Sequence, residues 1–219
     1  MNKWFPDNLP LSIKLYCVIR IALARLTNLS ELTPSSGRVL DVGCGYGLCS
    51  WIIAKNKPDL TVDGVDIDPE KIKNAQKYFC LPNVNYQIND IIEFETDSKY
   101  DAIVASDTFY LIPYELQEKF IARLPNLLNA DGKFILKEMN TRPRWKYYIN
   151  VLQETIAVKL IGFTWGSKFF FRPVEEYEKL FKTYGLHCQT IEINGYCHPQ
   201  IYYIVSQIEN FNRNQSYVR

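Results

Sequence analysis

Val39-Leu40-Asp41-Val42-Gly43-Cys44-Gly45-Tyr46-Gly47 is the stretch of sequence that decides the fold. Apolar residues lead into a glycine at every second position, and a helical pattern follows from Leu48. The pattern predicts a buried strand, a tight turn and a helix N-terminus. Glycines let the backbone approach a bound molecule where a Cβ would collide, and the helix start adds free N–H groups and partial positive charge. Such a unit is typical of a nucleotide pocket at the carboxyl edge of an open α/β sheet.

A second acidic residue extends this pattern. A strand reads through Val65 and ends at Asp66, about twenty residues beyond the glycines, where a carboxylate can accept both hydroxyls of a ribose. The nicotinamide fingerprint G-x-G-x-x-G would want a small residue at position 48, which is Leu48. Asp41, inside the first strand, is unfavourable for a pyrophosphate and favours a positively charged ligand.

Asp41 to Gly47, followed by Gly64-Val65-Asp66-Ile67-Asp68-Pro69, resembles the class I S-adenosylmethionine-dependent methyltransferases over residues 36 to 138. The resemblance implies that the cofactor is S-adenosyl-L-methionine. It implies that Asp41 steers the ammonium end, directly or through water, and that Asp66 holds the ribose hydroxyls. It also implies that Asp90 binds the adenine amino group and that the Ile91 N–H binds a ring nitrogen. The remaining expected cofactor contacts are Gly43, Cys44, Gly45, Gly47, Ile67 and Ser106.

The order of strands and helices predicts an α/β fold. Strand-helix repeats continue through strands at 84–88, 100–107 and 133–138, and such repeats give a parallel sheet covered by helices on both faces. Two further strands, 186–193 and 201–206, follow a helix that begins after Pro173. The resemblance implies a Rossmann-like doubly wound sheet of seven strands, mostly parallel with a C-terminal antiparallel hairpin, in the order 3-2-1-4-5-7-6.

The chain divides into an N-terminal helical segment (1–35), a methyltransferase domain (36–208) and a frayed tail (209–219). Leu11, Leu15, Val18, Ile19, Ala22 and Leu26 recur at helical spacing. They predict an amphipathic helix that packs over the domain; the alternative is a lid over cofactor and substrate, with Tyr16 or Arg20 reaching the methionine carboxylate. Residues 139–172 form an aromatic insertion, which favours a substrate cap around Trp145 for a flat, lipophilic or lipid-linked acceptor and a contact with a membrane surface. A cap with a small core of its own is the alternative.

Composition excludes several other classes. The net charge is +1 and no long basic run marks a nucleic-acid-binding protein. The six cysteines include no C-x-x-C and no metal-like pairing with the two histidines, so we expect no metal and a reduced, cytoplasmic setting. Lys14, Arg20 and Arg25 interrupt the apolar N-terminal run, which argues against a membrane span. The oligomeric state stays open.

The acceptor is constrained by the loop after the fourth strand. It reads Ser106-Asp107-Thr108-Phe109 and lacks the Asn/Asp-Pro-Pro-Tyr typical of enzymes that methylate base or glutamine amino groups. We expect a small lipophilic or aromatic acceptor methylated on oxygen or carbon, with Tyr110, Trp145 and Tyr16 as substrate contacts. There are two alternatives. The substrate could be a lipid or a carrier-tethered acyl or aryl-polyene-type molecule, or the protein could be a non-catalytic subunit that binds the cofactor. If a general base is used, His198 is the first candidate and Glu138 the second, because an imidazole titrates near neutral pH.

Overall fold

The computed structural model describes residues 4–24, 26–139, 169–193 and 200–208. The strands are β1 (Gly37–Val42), β2 (Leu60–Asp66), β3 (Val84–Ile88), β4 (Tyr100–Ser106), β5 (Leu128–Met139), β6 (Leu186–Ile193) and β7 (Gln200–Gln207). The helices are α1 (Leu11–Ala24), α2 (Leu26–Leu32), α3 (Leu48–Asn56), α4 (Pro69–Tyr78), the 3₁₀ helix Phe109–Leu111, α5 (Tyr114–Leu127) and α6 (Val174–Thr183).

The seven strands form one sheet in the order β3-β2-β1-β4-β5-β7-β6, which confirms the predicted fold class. Strands β1 to β5 pair in parallel, whereas β7 pairs antiparallel with both β5 and β6. β1 lies between β2 and β4. The chain adds β2 and β3 on one side of β1, and then adds β4 and β5 on the other side. In open α/β sheets the crevice for a ligand forms where the strand order reverses in this way.

The sheet is buried because the middle of its central strand β4 is apolar and is covered on both faces. Ala102, Ile103, Val104 and Ala105 of β4 are completely buried, as a parallel strand covered on both faces requires. One hydrophobic cluster packs Phe109, Phe120, Phe134 and Phe181 against one face. On the other face, a second cluster contains Leu29, Ile53 and Tyr202. This rigid double layer fixes the strand ends that carry the polar residues.

Local signals in the sequence are confirmed at α4 and adjusted at α5. Asp68 caps α4 by accepting hydrogen bonds from the N–H groups of Glu70 and Lys71, and Pro69 is the first helical residue. Pro125 does not end α5, which continues to Leu127. β5 then begins at Leu128, five residues earlier than predicted, with a register shift opposite Tyr100 and Ala102.

The predicted packing face is wrong for the residues of α1, whereas Leu26, the last residue of that predicted set, is buried and begins α2. Leu11, Leu15, Val18 and Ile19 are exposed, whereas Ile13 and Cys17 are the buried residues of this helix. Apolar residues lie on almost every side of α1, so spacing alone did not determine which side meets the domain. Among the helices that the structure describes, none is both long and apolar enough to cross a bilayer.

Candidate functional site

A cavity of about 400 Å³ opens at the carboxyl ends of β1, β2 and β4. Its volume is within the range typical of small-molecule pockets. One wall comes from α1, through Tyr16, Ile19 and Arg20. The floor and the other walls come from the loops after the strands: Val42, Gly43, Gly45, Tyr46, Val65 to Asp68, Lys71, Asn89 to Ile92, Ser106 to Thr108, Tyr110 to Pro113 and Leu116.

The three glycines after β1 all have positive φ, and they serve different purposes. A Cβ on Gly43 would lie 2.3 Å from the Thr108 side chain, and one on Gly47 would lie 2.6 Å from the Tyr86 hydroxyl. Both positions therefore demand glycine for internal packing. A Cβ on Gly45 would meet nothing nearer than the Tyr16 hydroxyl at 3.7 Å, so this backbone borders open space in the cavity.

Asp66 joins the loops that follow β1 and β2. Its Oδ2 accepts the N–H of Gly45 at 2.8 Å, and its Oδ1 accepts the N–H of Asp68 at 2.9 Å. The carboxylate therefore lines the cavity in a fixed orientation. Each oxygen retains a second lone pair for a ligand hydroxyl, as a ribose would require.

Asp41 lies deeper, beneath the glycine loop. It is 1% exposed, accepts the Ser50 hydroxyl at 2.5 Å and borders a recess of about 20 Å³ beside the main cavity. Burial raises the pKa of Asp41 to about 6, opposed by the Ser50 hydrogen bond and reinforced by the negative charge of Asp66. Tyr16 and Arg20 border both the recess and the cavity, so the two spaces adjoin, but Asp41 itself borders only the recess.

The expected adenine end lies along the loops after β2 and β3. Ile67, Asp90 and Ile91 all line the cavity, because they follow the ends of the neighbouring strands β2 and β3. Asp90 Oδ1 accepts the Ile92 N–H at 2.9 Å, which orients this side chain. Cys44 and Gly47 differ from the other expected contacts, because Cys44 borders only the small recess and Gly47 lines neither space.

Asp107 is a site residue that the sequence reasoning missed. It follows β4 with a φ of 53°, a left-handed conformation that is uncommon outside glycine. Its Oδ2 lies 2.6 Å from Lys137 Nζ and 2.8 Å from Arg20 Nη1. Burial alone would raise the pKa of Asp107, but the two cations outweigh burial and lower it. The useful signal was Lys137 within an apolar strand, because a buried lysine requires a partner.

Glu138 lies at the end of β5, as predicted, yet it is 2% exposed and is not among the residues that line the cavity. Its Oε1 accepts the Phe109 N–H at 3.1 Å. Burial raises its pKa well above the ordinary value, and the nearby Asp107 adds to the effect. This geometry favours a positioning role: Glu138 holds the start of the 3₁₀ helix that carries Tyr110.

Tyr110 and Tyr16 are two aromatic residues that line the cavity. The Tyr110 ring stacks on Phe171 with centroids 4.7 Å apart, and its carbonyl accepts the Phe170 N–H at 2.7 Å. Tyr16 packs edge-on against Tyr46 at 5.1 Å. Trp145 and His198, the other expected acceptor and base residues, lie outside the described residues.

Gln117 forms hydrogen bonds with the backbone on both sides of Tyr110 along the chain. The side chain is fully buried, and its amide nitrogen donates to the carbonyls of Phe109, Ile112 and Phe170. Its amide oxygen accepts from Arg172 Nε at 2.9 Å. The Gln117 side chain therefore connects the loop after β4 to Phe170 and Arg172.

A model of the methyltransferase domain matches residues 34–168, which is more than half of the chain. The chain belongs to the class I S-adenosylmethionine-dependent methyltransferases. The cofactor of this methyltransferase is S-adenosyl-L-methionine, and the residues present fit it: an open glycine backbone at Gly45, a fixed carboxylate at Asp66 and a buried acid at Asp41.

Several curated proteins are similar to this methyltransferase. The carboxy-S-adenosyl-L-methionine synthase of Campylobacter fetus is 31% identical over 61% of this chain and 57% of its own. A malonyl-[acyl-carrier protein] O-methyltransferase of Ilyobacter polytropus is 34% identical over 43% of this chain and 35% of its own. The ubiquinone biosynthesis O-methyltransferase of Xanthomonas axonopodis is 29% identical over 67% and 61%. The chain thus spans less than two thirds of the length of each.

A solved structure supports the fold. The TehB-like S-adenosylmethionine-dependent methyltransferase of Corynebacterium glutamicum superimposes with a TM-score of 0.63 at 16% identity, over 89% of this chain and 95% of that one.

Proposed function

We propose that this methyltransferase transfers the methyl group of S-adenosylmethionine to an oxygen or carbon of a small lipophilic or aromatic acceptor. The observation that carries the proposal is Tyr110, which lines the cofactor cavity and whose ring stacks on Phe171 with centroids 4.7 Å apart. Flat aromatic faces favour flat apolar ligands, which bury large areas against them. A relative named for ubiquinone biosynthesis, an O-methyltransferase, supports an acceptor of this class.

The chain's own residues would orient the cofactor. Asp66 would accept the ribose hydroxyls, the open backbone at Gly45 would pass beneath the methionine portion, and Asp41 would attract the ammonium group from the recess. Asp90 and Ile91 would bind the adenine edge. When bound, the cofactor supplies a methyl group already activated by the sulfonium, so the protein's main task is alignment of the two reactants.

Asp107 suits the acceptor side of this alignment. Asp107 lines the cavity. Its Oδ2 accepts hydrogen bonds from Arg20, Lys137 and Ser106, and among the described residues no hydrogen bond involves its Oδ1. Because Lys137 and Arg20 lower its pKa, Asp107 stays ionised and is a poor proton acceptor. It would therefore position an acceptor hydroxyl rather than deprotonate it. His198 remains the proposed base for an acceptor that must lose a proton.

The test is turnover of the purified chain. We expect S-adenosylhomocysteine to form with at least one member of a panel of phenols, catechols and quinols, and expect calorimetry to detect binding of S-adenosylhomocysteine itself. Cofactor binding without turnover on any such acceptor would reject the proposed acceptor class. An inactive chain that becomes active when a partner protein is added would instead identify a cofactor-binding subunit.

An acyl group tethered to a carrier protein is the second candidate. The similarity to a malonyl-[acyl-carrier protein] O-methyltransferase favours it. A carboxylate acceptor needs no base, so His198 would be dispensable in that case. Turnover with an acyl-carrier protein but not with the free acid or with phenols would select this alternative.

A further inference from the structure

Helix α1 presents an apolar stripe to solvent. Leu11, Leu15, Val18 and Ile19 are 83%, 51%, 48% and 37% exposed, and Ala22 is also exposed. These five residues, the α1 stripe, are three or four positions apart and therefore share one helix face. Large apolar side chains grouped on one exposed face mark an interaction surface more often than single exposed residues do.

The orientation of the stripe is fixed by contacts on the opposite side of the helix. Ile13 and Cys17 are buried at 5% and 0% exposure, in a cluster with residues of α3 and α4. Arg20 pairs with Asp107 at 2.8 Å across the cavity. Because these contacts hold α1 against the domain, the helix cannot bury the stripe by rotating without losing them.

The charge around the stripe is complementary to an anionic surface. α1 contains no acidic residue, and Lys14 is exposed beside the stripe. Residues 1–26 contain four basic residues and one acidic residue, in a chain whose net charge is only +1. Arg20 is paired with Asp107, so Lys14 supplies the exposed positive charge of α1 beside the stripe. An apolar helix face beside an exposed lysine, with an exposed Trp4 preceding it, suits binding in the plane of an anionic lipid headgroup layer.

The stripe is continuous with the cofactor cavity. Ile19 belongs to the stripe and also lines the cavity, between Tyr16 and Arg20. Ile67, 61% exposed, lines the cavity from the loop after β2. An acceptor dissolved in a membrane would therefore meet an apolar entrance next to the docked surface.

We propose that the α1 stripe docks this methyltransferase on the surface of an anionic lipid bilayer, from which a lipophilic acceptor enters the cavity past Ile19. Only the acceptor's route rests on the proposed function; the docking does not. A second copy of the chain fits less well. The stripe is a single helix face of five small or aliphatic side chains, whereas a standard protein interface buries about 800 Å² per partner.

The test is flotation of the purified full chain with vesicles, without cofactor or acceptor. We expect the wild type to float with vesicles of phosphatidylglycerol and phosphatidylcholine, and to float at least tenfold less with phosphatidylcholine alone. The double variant Leu15→Glu/Val18→Glu should lose at least 90% of the binding. Ile191→Glu, at an exposed isoleucine on β6 outside the stripe, is the control and should bind as the wild type does. Circular dichroism and binding of S-adenosylhomocysteine verify that each variant is folded.

Three outcomes would overturn the proposal. The wild type could remain in the aqueous fraction with anionic vesicles, or the double variant could float as well as the wild type. Alternatively, sedimentation could show a dimer that the double variant dissociates while vesicles bind neither protein, which would assign the stripe to a second copy. Failure of the acceptor panel would reject the proposed function and leave the flotation result standing, so the two can be told apart.

Discussion

Lys137 Nζ lies 2.6 Å from Asp107 Oδ2, which joins the end of β5 to the residue that follows β4 beneath the cofactor cavity. Lys137 is 1% exposed, and Arg20 approaches the same carboxylate oxygen from α1. Burial lowers the pKa of Lys137, and the carboxylate of Asp107 partly offsets that effect. The pair holds Asp107 in its left-handed backbone conformation and attaches the helical wall of the cavity to the sheet.

We predict that Lys137→Met lowers the free energy of unfolding by about 3 kcal/mol, because it removes one partner of a buried ion pair. Denaturant unfolding measures the change. Lys133→Met, at a half-buried lysine on the same strand, should cost less than about 1 kcal/mol. Because Lys137 and Asp107 contact each other, the stability losses of Lys137→Met and Asp107→Asn should not add in the double variant Lys137→Met/Asp107→Asn. Additive losses would contradict the assigned ion pair.

Gly45→Ala and Gly47→Ala should separate binding from folding. Gly45→Ala enters open space, so we expect a loss of about 1 kcal/mol in stability, from its positive φ, together with a clear loss of affinity for S-adenosylhomocysteine. Gly47→Ala also collides with Tyr86, so its stability loss should be larger by about 1–3 kcal/mol. Thermal unfolding and calorimetry measure the two effects. Unchanged cofactor affinity in Gly45→Ala would remove this backbone from the site.

The pKa of Asp41, raised to about 6, predicts opposite pH effects on binding and on stability. Affinity for the cationic methionine end should fall as the pH is lowered through 6, because Asp41 becomes neutral. Stability should change the other way: the unfolded chain releases this proton near pH 4, so the free energy of unfolding falls by up to about 3 kcal/mol as the pH rises from 4 to 6.

Asp41→Asn keeps the shape of the side chain and should flatten both pH profiles. At pH 7 we expect the variant to be more stable than the wild type and to bind S-adenosylhomocysteine more weakly. Calorimetry and denaturant unfolding between pH 5 and 8 measure both quantities. A variant that binds as tightly as the wild type at pH 7 would show that Asp41 is structural.

Glu138→Gln should change turnover by less than about threefold, because the carboxamide oxygen can accept the same Phe109 N–H and burial raises the pKa of Glu138, which disfavours its charged form. Glu138→Ala leaves that N–H without its partner and should cost about 1–3 kcal/mol of stability. Steady-state kinetics across pH compares the variants. A hundredfold loss in Glu138→Gln, with loss of one limb of the pH profile, would restore Glu138 as the base.

His198→Ala should lower turnover by about a hundredfold or more with a phenolic acceptor, as loss of a general base typically does. Binding of S-adenosylhomocysteine should be unchanged, and this is the control for folding. An unchanged turnover number would reject the role.

The fold was predictable because its signals are local. The glycines after β1, the Asp68-Pro69 start of α4 and the apolar run 102–105 of β4 each depend on a few neighbouring residues. The grouping of Asp41, Asp66 and Asp90 on neighbouring strands followed from the same signals, since the carboxyl ends of adjacent parallel strands must meet at one edge of the sheet. The side of α1 that packs was not predictable, because that helix is apolar on almost every side.

The sequence by itself determined the sheet, its strand order through the family resemblance, and the positions of Asp41, Asp66 and Asp90 at neighbouring strand ends. Only the tertiary structure decided what the side chains do there. Asp107 meets Arg20 across 87 positions and Lys137 across 30, and Gly47 is required by Tyr86, 39 positions away. Contacts between such distant residues depend on how the helices pack on the sheet, and no periodic pattern in the sequence predicts that packing.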